Sequence, residues 1–175
     1  MSDESKPVSR PWRPGWLSQR IAIGDIQSPL VRKAYDLWIR KKLGRRMPSR
    51  SELSPRDMAE FLRNVLIVKV LGGGEFEFRI VGDALVTLQG ASFQGMNTAE
   101  IDRNVPGYGE GLREVYSLLC KVAEPLIFRG KSQSGAVGKP FFHKTLLLPL
   151  GANSETVDHI LAIGYYSFGE GGQVI

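Results

Sequence analysis

The chain contains one cysteine, Cys120, and only two histidines, His143 and His159. A single thiol excludes an internal disulfide framework and suits a reducing compartment. Two histidines this far apart, with no cysteine cluster, lack the spacing of metal ligands. Both fall in or beside expected strands and read as sheet-surface residues. No apolar run approaches the length that spans a bilayer, and the N-terminus is polar and proline-rich rather than signal-like. The expectation is therefore a cytoplasmic protein without a membrane span. Catalytic signatures are missing too: there is no Gly-x-Ser-x-Gly elbow, no phosphate-loop glycine-lysine pattern and no His-Glu-x-x-His. Gly72–Gly74 does follow a strand, but a second strand comes after it, so it is a hairpin turn and not a phosphate cradle. Nothing here proposes an enzyme.

What is present is one domain's worth of chain. At 175 residues, with 42% hydrophobic and 23% charged residues, it can bury an ordinary globular core. The net charge of +5 is uneven: residues 32–50 carry Arg32, Lys33, Arg40, Lys41, Lys42, Arg45, Arg46 and Arg50 against Asp36 alone. A cluster of this kind can meet phosphates, an acidic partner or a membrane surface. No interleaved aromatic platform accompanies it, so a solvated helix face followed by a structural loop is the preferred reading. A nucleic-acid or other anionic partner held by Arg45, Arg46 and Arg50 is the alternative.

Along the chain, residues 1–28 read as a tail or linker whose Trp12, Trp16 and Leu17 need burial somewhere. Residues 29–43 read as a helix, with Pro29 in its first turn and Leu30, Ala34, Leu37 and Trp38 on one stripe. Gly44 supplies its stop. After a basic loop, Ser54, Pro55 and Asp57 predict a sharp start to a second helix that buries Met58, Phe61, Leu62 and Val65. Val65–Leu71 and Glu75–Gly82 then form two strands around the glycine turn. Phe76, Phe78 and Ile80 point one way, and Glu77, Arg79 and Val81 the other. Short helices are expected at Asp83–Leu88 and Thr98–Ile101. A long one follows at 110–123, where Leu112, Val115, Tyr116, Leu119, Val122 and Ala123 recur at helical spacing. Three strands close the domain at Pro125–Phe128, Phe141–Leu150 and His159–Phe168. The glycine-rich segment 130–138 joins the first two, and residues 169–175 are a C-terminal tail.

Two strands, small helices, a long helix and three strands is the order of a PAS domain. The segments Gly44–Arg50, Phe78-Arg79-Ile80-Val81-Gly82, Gly90, Gly95 and Leu147-Leu148-Pro149-Leu150 further resemble a family of short, mostly stand-alone bacterial PAS proteins frequent in alphaproteobacteria. The resemblance covers about residues 28–168. It implies an α+β fold, with a five-stranded antiparallel sheet, helices packed on one face and an additional N-terminal helix. It also implies a sensory or regulatory module without an output domain of its own, which binds a small ligand, an unidentified signalling protein, or both. Helices N-terminal to such cores commonly mediate pairing, so a homodimer through residues 29–43 is expected.

The ligand pocket of this fold lies between sheet and small helices. That places Val68, Phe78, Ile80, Leu85, Leu88, Phe93, Met96, Tyr116, Leu146 and Leu148 as candidate lining residues. Arg79 is the candidate anchor for an anionic ligand, weighed against a plain ion pair with Glu77 on the sheet face. Haem is disfavoured because neither histidine sits on a helix facing the pocket. Flavin photochemistry is disfavoured because the asparagine-cysteine-arginine motif is absent, and Cys120 reads as a small buried apolar residue.

Overall fold

A computed structural model describes residues 19–133 and 140–168. The tail tryptophans, the segment 134–139 and the C-terminal tail lie outside the described residues. The five expected strands are β2 (Val65–Gly72), β3 (Glu75–Val81), β4 (Leu126–Gln133), β5 (Pro140–Leu150) and β6 (His159–Ser167). They are joined at one edge by a three-residue strand, β1 (Gln19–Ile21), which sequence analysis placed within the tail. All neighbours are antiparallel, in the order β1-β4-β5-β6-β2-β3.

The β2–β3 hairpin forms because Gly73 and Gly74, at φ 62° and 77°, both adopt the left-handed region that the tightest hairpin turn demands. The outer edge of β3 is covered. Phe78 N–H donates to Met96 O (2.9 Å), and Gly95 N–H donates to Phe78 O (2.7 Å). Backbone groups that would otherwise invite another strand are thereby satisfied.

Both faces of the sheet are buried, and alternation decides which residue goes where. On one face, Val65, Ile163, Leu146 and Ile127 form a row across four strands, and Ile67, Leu161 and Leu148 form the next; all are almost fully buried. Helix α1 (Pro29–Lys42) lies against β5 and β6 there. Its buried stripe is Val31, Ala34, Leu37 and Trp38, with Leu30 only half-buried, and the Trp38 indole N–H donates to Pro149 O at 2.8 Å. Ser28 caps its start, and Leu43 takes the left-handed position at its end ahead of Gly44.

The expected second helix is instead a run of turns and a short 3-10 helix over Ala59–Asn64. The Ser54–Asp57 contacts are present, with Ser54 N–H on Asp57 Oδ2 at 2.9 Å and Asp57 N–H on Ser54 Oγ at 3.2 Å. They close a single turn. Met58, Phe61 and Val65 are buried as expected, but Leu62 is exposed, because a three-residue period does not carry the stripe that an α-helix would.

On the other face sit α2 (Asp83–Gln89), α3 (Thr98–Asn104) and α4 (Tyr108–Val122). Gly90 ends α2 in the left-handed conformation. Glu75 ties this layer to β3: its carboxylate accepts from Thr98 Oγ1 (2.6 Å), Ala99 N–H (3.2 Å) and Arg113 (3.0 Å). These donors hold the Glu75 carboxyl below its ordinary range. Gly109 lets α4 pass close to α3, since a Cβ there would stand 2.0 Å from Thr98 O.

Candidate functional site: a neutral recess between sheet and helices

The face carrying α2–α4 has its own rows. Leu66, Ala162, Leu147 and Leu126 form one, Gly164, Thr145 and Phe128 the next, and Tyr166 and His143 a third. The central strands place small residues where the helices cross. The result is a recess of about 60 Å³ bounded by these rows, by α2 and by α4. Helix α2 contributes Leu85, Leu88 and Gln89, while α4 contributes Tyr108, Leu112, Val115 and Tyr116 at helical spacing.

Most of the wall is apolar, and its polar groups are all uncharged. Among the described residues, no Asp, Glu, Lys or Arg lines it. His143 is 4% exposed, and burial pushes its imidazole down to about 4, so the ring is neutral near pH 7. Its Nδ1 lies 3.3 Å from Thr145 Oγ1. Burial likewise drives the phenols of Tyr108, Tyr116 and Tyr166 above their ordinary range. Aromatic packing fixes these rings. Phe76 meets Tyr116 edge-on at 5.3 Å, Phe93 meets Tyr108 at 6.0 Å, and Phe141 meets Tyr166 at 6.1 Å. The Gln89 side-chain nitrogen is buried without a hydrogen-bond partner among the described residues.

Gly164 shapes the floor. A Cβ there would stand 2.0 Å from the Tyr166 hydroxyl, because that ring folds back along β6 over the glycine. Gly164→Ala should therefore push Tyr166 out of place and cost about 1–3 kcal/mol. Urea unfolding measures the cost, and the near-ultraviolet tyrosine signal reports the ring; unchanged values in both would contradict this packing.

Of the residues expected to line a pocket, Leu85, Leu88 and Tyr116 do so. Val68 and Phe78, paired across the β2–β3 ladder, are fully buried but do not reach the recess. Phe93 stands behind Tyr108, and Ile80 and Met96 are half-buried elsewhere. Leu146 and Leu148 face α1, on the wrong side of the sheet by one residue. Arg79 is exposed, and its Nη1 pairs with Glu77 Oε1 at 2.6 Å, which is the plain ion pair and not an anchor in the recess. Arg79→Ala should change stability by less than about 1 kcal/mol, since exposed pairs contribute little. A chemical denaturation curve superimposable on the parent's is the expected result.

The residues that sequence analysis missed are chiefly Gln89, His143, Thr145, Leu147, Gly164 and Tyr166. His143, expected on the sheet surface, is buried in this wall. His159 is half-buried beside Asp158, with Nδ1 at 2.8 Å from Oδ1. Cys120 is half-buried against the core instead of enclosed by it, and burial raises its thiol pKa. A polar pair inside an apolar strand, His143 and Thr145, was the available signal.

The basic cluster is largely engaged with its own chain. Arg45 donates to the carbonyls of Lys41 and Lys42 at the end of α1 and pairs with Glu52 at 2.7 Å. Arg50 donates to Leu53 O (2.7 Å), and Arg46, though exposed, donates to Val122 O at the end of α4 (2.9 Å). Lys41 pairs with Asp57 and Lys33 with Glu60. Cations at helix C-termini complement orphan carbonyls, which gives this charge a structural role. No group of acidic, histidine or cysteine side chains suited to a metal ion occurs among the described residues, and no helix among them is long and apolar enough to cross a membrane.

A family model described as a PAS domain matches residues 26–165. No curated protein matches the chain. Among solved structures, one titled as an RNA-binding light-oxygen-voltage receptor is similar at 13% identity and a TM-score of 0.46. That alignment covers 65% of this chain and 33% of the other, so the chain spans about a third of that structure's length.

Proposed function

The chain belongs to the PAS-domain family, and from that premise we propose that it is a cytoplasmic sensory or regulatory module whose input is a small molecule held in the recess between the sheet, α2 and α4. The observation that carries this reading is the wall itself. A mostly apolar enclosure with a few convergent polar groups is the usual form of a small-molecule site. Catalysis is not part of the reading: the one hydroxyl–imidazole contact among the described lining residues, Thr145 with His143, involves an imidazole whose burial makes it a weak base. Haem and flavin are not part of it either, because a recess of about 60 Å³ is far smaller than either ring system.

Output would pass to a partner protein or through pairing of two copies. The apolar stripe of α1 is committed to its own sheet, so a homodimer through this helix would use its outer side, where Ile39 and Leu43 are exposed.

Native mass spectrometry of freshly purified protein, followed by denaturing mass analysis of the same sample, tests both points. A defined extra mass that is lost on denaturation supports the ligand, and a doubled native mass supports the dimer. A bare chain that takes up no mass from a small-molecule extract of its host cells would overturn the ligand reading.

A further inference from the structure

We infer that the recess selects a small, uncharged molecule with a compact apolar body and one hydrogen-bond acceptor, and that the Gln89 side-chain amide donates to that acceptor. This deepens the ligand-sensing reading and rests on it. Three observations converge. The first is charge: among the described residues, every polar side chain lining the recess is neutral, and no ionised group stands there to offset the desolvation of a charged ligand. An anion or cation entering this wall would lose its hydration and find no counter-ion.

The second is the orphan donor. Gln89 closes α2, and its side-chain nitrogen is buried beside the recess without a partner among the described residues. A buried amide N–H left unsatisfied is costly, so an occupant that supplies an acceptor at this point regains that free energy. The apolar surface of Leu85, Leu88, Leu112 and Phe128 around it suits the remainder of the molecule. The third is size. At about 60 Å³ the recess is under half the roughly 150 Å³ of a dry apolar cavity that admits benzene, so the body is smaller than an aromatic ring.

Acetone, acetate and isopropylammonium are near-isosteric probes that are respectively neutral, anionic and cationic, and they test the inference on the full chain at neutral pH. Amide-resolved nuclear magnetic resonance spectra report each titration, with the Gln89 side-chain amide as a direct reporter. Acetone should shift that resonance saturably and bind at least about tenfold more tightly than either charged probe. Gln89→Met, which keeps length but removes the donors, should weaken acetone about fivefold while the remaining spectrum stays dispersed. If that variant fails to fold, the acetone–acetate comparison in the parent chain still decides. Acetate binding as tightly as acetone, no saturable shift from acetone, or unchanged acetone affinity in Gln89→Met each overturns this inference and leaves the ligand reading standing. A bare chain in the mass experiment removes that reading and this inference together.

Discussion

Trp38→Ala should cost about 3–5 kcal/mol of folding stability, the range for emptying a buried aromatic site. Trp38 is 2% exposed at the centre of the α1 stripe, where its ring underlies Lys42 at 5.3 Å and stacks on Tyr35 at 6.4 Å. Truncation removes that packing, leaves a void against β5 and β6, and strips Pro149 O of the indole donor. Trp38→Phe separates the terms. It keeps most of the ring but loses the hydrogen bond, so its cost should fall to about 1–2 kcal/mol. Urea midpoints at constant m-value measure both. A loss below about 1 kcal/mol for the alanine variant would mean that α1 is not part of the folded unit, and would return it to the role of a free pairing surface.

Mild acid should weaken the fold well before its carboxylates titrate, because His143 is held neutral. In the unfolded chain this imidazole takes up a proton near its ordinary pKa of 6.5, whereas in the fold it resists until about 4. Between those values the unfolded state binds more protons, so stability falls as pH falls through the window. The loss reaches about 2–3 kcal/mol near pH 4.5, at 1.36 kcal/mol per unit of pKa difference. Glu52 and Asp57, both lowered to about 2 by hydrogen bonds from Arg45 and Ser54 respectively, contribute stability that fades only below their own ordinary values, so the upper part of the window belongs to the histidine. His143→Gln should flatten the profile between about pH 6.5 and 4.5 whatever its effect at neutral pH. Unfolding midpoints across that range check the slope, and a variant that keeps the parent's acid limb would place the proton elsewhere.

The two halves of the site differed in how far the sequence exposed them. Leu85, Leu88 and Tyr116 were legible because helical spacing marks one face of α2 and α4, and the buried face of a helix in a one-layer cover has only one place to go. Strand β5 was not. Residues 146–150 read Leu-Leu-Leu-Pro-Leu, apolar at both parities, so alternation carries no signal there. A one-residue choice then moved the expected lining from Leu147 to Leu146 and Leu148. Gln89 was invisible for another reason: a glutamine before a helix-ending glycine is an ordinary solvent-facing residue until the opposing layer covers its nitrogen. The second helix failed on length, because a good start signal at Ser54–Asp57 does not supply the tertiary packing that sustains a helix.

By itself, then, the sequence determined the order of the elements from β2 onward, the glycine turn that makes β2 and β3 a hairpin, the stripe on α4, and with them the PAS fold. Each of these is a local matter of backbone freedom or periodicity along a short segment. Only the tertiary structure decided that α1 covers one face of the sheet, which residues of β5 and β6 turn toward the other, and that the groups gathered there are uncharged. Those outcomes depend on strands far apart in the chain meeting in one register, and on the burial that meeting creates. Burial is what turns His143 from a surface histidine into a neutral wall residue, and what leaves the Gln89 amide facing a recess in place of water.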